Sequence, residues 1–156
     1  SMTMGGVGVL VDLLGGVTLT LGSDLSAVDP ALTQGATVTL NGEQALAYVH
    51  SRQNVDDQTN LARMERQRQF LRAFEEQARQ MDPSFALEAY EAAEDYIITN
   101  IPGGRAVNLA GQLQQYTQLP VLTIDGENRV EDGYWAYELD QDSLQQTVLQ
   151  LFYQEI

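Results

Sequence analysis

The sequence predicts an α/β fold, a mixed sheet flanked by helices in a three-layer α/β/α arrangement. Three observations carry this. Val17, Leu19 and Leu21 alternate with Thr18 and Thr20, the period of a half-buried strand. Asn41 followed by Gln44 is a capping box, which opens a helix. Phe70, Phe74, Ala78 and Met81 recur at helical spacing, as do Leu144, Val148, Leu151 and Phe152.

The elements follow in order. Val7 to Leu14 reads as a short helix stopped by Gly15-Gly16. The strand from Val17 comes next, then a loop with Asp29-Pro30 and a second strand at Thr37 to Leu40. The helix opened by Asn41 runs to about Arg52, and Gln53 to Thr59 is a polar loop. A longer helix spans Leu61 to Met81. Asp82-Pro83 starts a third, with Pro in its first turn, that reaches Tyr96. Ile97 to Gly104 connects, with room for a short strand, and Val107 to Tyr116 is helical. Val121 to Ile124 is a strand, Asp125-Gly126 a turn and Gly133 to Leu139 another strand. Asp140 caps a final amphipathic helix to Tyr153.

The 156 residues fit one domain with one sizeable core. A composition 44% hydrophobic and 19% charged is that of a globular chain. The net charge of -14 and pI near 4.1 oppose general binding to nucleic acid or to an anionic membrane surface. There is no cysteine, hence no disulfide framework and no thiolate chemistry. No apolar run approaches the roughly 18 residues of a membrane span, and no signal peptide is visible. Ser1-Met2 reads as a cloning scar.

All eight basic residues are arginines, and Arg52, Arg63, Arg66, Arg68 and Arg72 crowd into one stretch of this acidic chain. Extending the apolar stripe of the 61–81 helix backwards at about 100° per residue reaches Arg63, Arg66 and Gln67. Arg68, Arg72 and Arg79 fall on the other side beside Glu65, Glu75 and Glu76, as solvated charges. Projection of the preceding helix aligns Arg52 with Ala45 and Val49. Inward arginines need partners, because an uncompensated buried charge is costly. Two readings satisfy that need: internal ion pairs with some of the 22 acidic residues, which pattern alone favours, or an anionic ligand.

Leu40-Asn41-Gly42-Glu43-Gln44-Ala45-Leu46-Ala47-Tyr48-Val49, then Arg52, then Arg63-Met64-Glu65-Arg66-Gln67, resembles the signature of the LytR-CpsA-Psr family of bacterial cell-envelope proteins. Leu10 to Val17, with its double glycine, is similar to the family's helix-to-strand entry, and Ile98-Thr99-Asn100 and the closing strand and helix also fit. The resemblance covers residues 3–156 as the C-terminal part of such a domain, and implies an incomplete one. It implies a transferase that moves a glycopolymer, such as wall teichoic acid or capsule, from a polyprenyl pyrophosphate carrier to peptidoglycan. It implies an extracytoplasmic domain anchored by an N-terminal membrane helix. Arg63 and Arg66 would be the catalytic arginines at the pyrophosphate, with Arg52, Gln67 and Asn60 as further ligand contacts. The resemblance also implies that magnesium assists the complete family domain; no metal site is expected in these residues, where Asp56 and Asp57 read as a solvated pair.

The chain also departs from the family. His50 stands where many members have an arginine, Asn60 where an acidic residue usually stands, and Arg68 where a second glutamine is common. The family's first half, with its metal-holding aspartates, has no counterpart before Met4. A sheet that starts partway leaves unpaired edges, which implies either self-association through them or rearrangement relative to the family fold. The alternative readings are a non-catalytic module binding lipid phosphate or wall polymer, and a transcriptional attenuator, a label attached to the family. Gly6-Val7-Gly8 lacks the preceding strand and third glycine of a dinucleotide loop, and Pro102-Gly103-Gly104 reads as a connecting turn.

Overall fold

The computed structural model describes residues 1–82, 84–113, 115–116, 121–131 and 133–153, with backbone alone for Leu113, Tyr134 and Trp135. Helices and strands are mixed, as the sequence predicts. The chain divides into two compact units, Ser1–Tyr116 and Thr117–Ile156.

The first unit contains α1 (Met4–Leu13), β1 (Val17–Thr20), β2 (Thr37–Leu40), α2 (Gly42–His50), α3 (Asn60–Ala78), α4 (Phe85–Ala92) and α5 (Gly103–Leu113). Helix α1 starts before Val7, although glycines are poor helix formers. Packing overrides propensity here, because Gly6 and Gly8 are buried contact points. A Cβ on Gly6 would lie 2.9 Å from Tyr96 Cβ. Gly15 and Gly16 then stop the helix with φ of +83° and +100°, a region closed to most side chains.

Strands β1 and β2 pair antiparallel, from Val17↔Leu40 to Thr20↔Thr37. The alternation works as read. Val17, Leu19 and Leu40 enter the core, while the Thr18–Thr39 and Thr20–Thr37 hydroxyls bond across the other face at 2.8 Å. Val11, Leu21, Leu25, Leu32 and Tyr48 complete the buried cluster. Asn41 caps α2 with both bonds of the predicted box, and Gly42 N–H donates to Asp12 Oδ1 at 2.7 Å.

Among the described residues the strands form two antiparallel pairs and not one mixed sheet. The outer edge of β1, expected to be open, is met by side chains of α3. Thr18 N–H donates to Gln77 Oε1 at 3.0 Å, and Gln69 Nε2 donates to Thr20 O at 2.7 Å.

The third predicted helix is α4 followed by a 3₁₀ turn at Glu94–Tyr96. Pro83, its expected start, lies outside the described residues. The possible strand after Tyr96 is a single bridge, Met2↔Ile97.

The second unit contains β3 (Gly126–Glu131), β4 (Tyr134–Leu139) and α6 (Gln141–Phe152). Here the sequence reading of the first strand fails. Val121 to Ile124 has no regular structure, and polar Gly126–Glu131 pairs with β4 instead. The reversal occurs at Gly133, with φ of +81°, so β4 takes the residues next to that turn whatever their polarity. Asp140 caps α6 by accepting from Ser143 N–H at 2.8 Å. None of the described side chains of α6 is buried, including the apolar row Val148, Leu151 and Phe152.

Candidate functional site

Thr59 caps α3, its hydroxyl accepting from Ala62 N–H at 3.1 Å. The first two turns then bring Arg66 and Gln67 against the end of α2, with Arg63 half-buried and near enough for its charge to act on Arg66. Arg66 is 2% exposed. Its Nε donates to Tyr48 O at 3.0 Å and its Nη2 to Ser51 O at 2.6 Å. Gln67 Nε2 donates to Val49 O at 3.1 Å. The last carbonyls of a helix lack intrahelical partners and carry its negative pole, so a guanidinium there is favourable.

The ion-pair reading does not hold for the inward arginines. Among the described residues the ion pairs within 4.0 Å are Arg68–Glu65, Arg79–Glu75 and Arg129–Glu138. The first two are the outer-face pairs that the helical projection predicts. Among the described residues Arg63 and Arg66 have no carboxylate within 4.0 Å, and each keeps a buried N–H without an acceptor, Arg63 Nε and Arg66 Nη1. Burial pulls the Arg66 pKa down most strongly, and the Arg63 charge pulls the same way. Tyr48, Asp56 and Asp57 oppose that shift. The group stays cationic at neutral pH, as guanidinium does throughout proteins.

Arg52 lies elsewhere than projected. Helix α2 ends at His50, and Ser51 turns to φ -58°, ψ 134°, so helical geometry no longer governs residue 52. Arg52 is exposed. Asn60 is the first residue of α3 and is exposed, as is His50. In the loop, Asn54 has a φ of +59° and Val55 is buried, while Asp56 and Asp57 are exposed as read.

Two residues that projection passed over organise the site. Tyr48 is fully buried, and its hydroxyl donates to Gln69 Oε1. Burial raises the Tyr48 pKa, so it remains a neutral donor. The only sequence signal was that Tyr48 follows Ala45 by one helical turn, which marks a core position and not a role.

Magnesium demands several oxygen ligands in close array. Among the described residues no three His, Cys, Asp or Glu side chains gather in such a group. The Asp57 carboxylate accepts from Thr59 N–H, a bond that holds its pKa below the usual range. These residues alone do not fit the ion, and no step below runs through it.

An apolar cavity of about 710 Å³ opens farther along α3. Phe74, Ala78 and Met81 line it with Phe85 and Tyr90 of the α4 region and Val107 of α5. Unsatisfied cationic donors thus lie near the start of α3, and a separate apolar cavity lies toward its far end.

Among curated proteins none matches the chain. Solved structures do. TagT bound to LIIa-WTA matches with a TM-score of 0.76 and 22% identity, over 96% of this chain and 58% of that one. TagV of B. subtilis matches with a TM-score of 0.73 and 22% identity, over 99% and 63%. A transcriptional regulator from Enterococcus faecalis matches with a TM-score of 0.75 and 21% identity, over 97% and 56%. The chain thus shares their fold and spans about six tenths of their length. The profile of the LytR_cpsA_psr family matches residues 1–152, which include the arginines of α3 and the helix end they clasp. The chain therefore belongs to the LytR-CpsA-Psr family.

Proposed function

We propose that this chain binds the pyrophosphate of a polyprenyl-linked glycopolymer and serves its transfer to peptidoglycan. The observation that carries the reading is the pair of buried donors without acceptors, Arg63 Nε and Arg66 Nη1. A buried unsatisfied N–H costs about 1–3 kcal/mol, and a phosphate oxygen that reaches it removes that cost.

In the mechanism, Arg66 is held by two carbonyls and offers Nη1 to a phosphate oxygen. Arg63, one turn earlier on α3, offers Nε. Charge that builds on the departing phosphate meets fixed donors, which is how phosphoryl-transfer sites lower the barrier. Gln67 fixes the α2–α3 junction through Val49 O, and Arg52 reaches the glycan-bearing phosphate from the exposed loop. Asn60, at the exposed start of α3, contacts the ligand's polar rim. The lipid tail lies in the apolar cavity. Phe74 is eight residues beyond Arg66, about 12 Å along the helix.

The native protein acts outside the cytoplasmic membrane, held there by an anchor. No helix among the described residues is long and apolar enough to cross a membrane. A fold neighbour that is structurally solved bound to LIIa-WTA supports a teichoic-acid-like ligand.

Calorimetric titration of this chain with inorganic pyrophosphate and with a short polyprenyl phosphate tests the reading. Binding that weakens at least about tenfold in Arg66→Ala supports it. Equal affinity of wild type and Arg66→Ala overturns the pocket assignment. A second reading, a binding module without catalysis, is favoured by Asn60 standing where an acidic residue is usual. The two readings part if full-length protein with magnesium shows no ligation or pyrophosphatase activity. A nucleic-acid role is opposed by the net charge of -14.

A further inference from the structure

Two glutamines of α3 take the place of a neighbouring strand along β1. Gln77 accepts from Thr18 N–H through Oε1 at 3.0 Å and donates from Nε2 to Thr18 O at 3.2 Å. Two turns earlier, Gln69 donates to Thr20 O at 2.7 Å and accepts from Gly22 N–H at 3.4 Å. The lengths match. Eight helical residues span about 12 Å, and the four extended steps from Thr18 to Gly22, which continue past the end of β1, span about 13 Å. The two amides thus fix how far α3 can slide along β1.

They differ in one contact. Gln69 Oε1 also accepts from the buried Tyr48 hydroxyl, whereas Gln77 Nε2 donates within α3 to Ala73 O at 2.9 Å. The Tyr48 backbone carbonyl in turn accepts from Arg66 Nε. A closed ring results, running from Arg66 along α3 to Gln69, across to the Tyr48 hydroxyl, through the Tyr48 backbone and back to the guanidinium.

We propose that Gln69, acting through Tyr48, is the positioning residue that aims the Arg66 guanidinium, and that Gln77 seals the β1 edge without sharing that role. The inference rests on the anion-site reading for its consequence in binding, but the ring itself is independent of any ligand. A donor aimed at a phosphate oxygen must be held to about 0.5 Å to be effective, and the ring braces the carbonyl that holds Arg66 Nε. Without the Gln69–Tyr48 bond, the hydrogen bonds described between α3 and the end of α2 run from α3 side chains to backbone carbonyls.

The test uses the whole chain, labelled for NMR at arginine Nε, with Gln69→Ala, Tyr48→Phe, Gln77→Ala and Gln69→Glu. The readouts are hydrogen exchange of Arg66 Nε–H, affinity for inorganic pyrophosphate and thermal midpoint. Gln69→Ala and Tyr48→Phe are expected to speed Arg66 exchange and weaken pyrophosphate binding about tenfold. Gln77→Ala is expected to lower the midpoint while changing neither. Gln69→Glu keeps the acceptor for Tyr48 and loses the donor to Thr20, so it retains slow Arg66 exchange even if Gln69→Ala does not fold. Acceleration by Gln77→Ala equal to that of Gln69→Ala, or by Gln69→Glu, overturns the proposal. Wild-type chain that ignores pyrophosphate while the exchange pattern holds refutes the anion site and supports the positioning role.

Discussion

Replacing Arg63 by methionine separates stability from function by the sign of its effects. Arg63 Nε is buried without an acceptor, a cost of about 1–3 kcal/mol. The residue as a whole is only half-buried, so the lower part of that range applies, about 1–2 kcal/mol. Methionine has a similar length and near-equal helix propensity, so the helix itself loses little. The change also removes a like charge close enough to Arg66 to lower its pKa. The ligand-free protein should therefore become more stable, by roughly 2–8 °C at about 2–4 °C per kcal/mol for a chain of this size. Pyrophosphate binding should weaken at least about tenfold, or about 1.4 kcal/mol. Thermal unfolding with and without saturating inorganic pyrophosphate reads both effects. Wild type should gain about 2.7 kcal/mol at a hundredfold excess over Kd, and the variant visibly less at the same concentration. A variant that is less stable without ligand, yet shifts as far as wild type with it, refutes the reasoning on both counts.

Other consequences are simpler. Gly42→Ala would set a Cβ 2.6 Å from both Asp12 Oδ2 and Gly8 O, so urea unfolding should show a loss of about 1–3 kcal/mol. Asn41→Ala removes a complete capping box and should cost about 1 kcal/mol, with frayed amides at the start of α2 in hydrogen exchange. Unchanged protection there would contradict the capping role. Acid should destabilise the fold through Asp24, Asp29, Asp57 and Asp82, whose pKa values are lowered by bonds from Ser26, Gln44, Thr59 and Ser84 respectively. Their folded forms bind protons less tightly than the unfolded chain, so the stability they add is present above pH 3.8 and is lost as pH falls through the folded values. A urea midpoint that stays flat from about pH 5 to about pH 3 would exclude this linkage.

Local chemistry was legible in the sequence wherever a residue type does one job. The capping box at Asn41, the glycine stop at Gly15-Gly16, the Asp140 cap and the alternation of β1 all appear as read. Helical projection also sorted the arginines of α3, because a continuous helix carries its phase from Phe70 back to Arg63. The same tool misplaced Arg52, because α2 ends two residues earlier and phase is lost at a helix end. Polar Gly126–Glu131 escaped because strand pairing beside a tight turn is set by chain geometry and not by hydrophobicity. The carbonyl partners of Arg66 could not be read at all. Main-chain acceptors carry no residue signature, so an arginine aimed at them looks in sequence like one aimed at a carboxylate.

The sealing of β1 by side chains has a consequence for how the protein tolerates change. A backbone neighbour cannot be lost by a point substitution, whereas an amide can. Loss of Gln77 would uncover Thr18 N–H and O, groups that another chain can pair with, while the threonines of the exposed face offer no charge to repel it. Variants at this position should therefore reveal themselves first as a concentration-dependent loss of soluble protein on storage or heating, before any defect in ligand binding is measured.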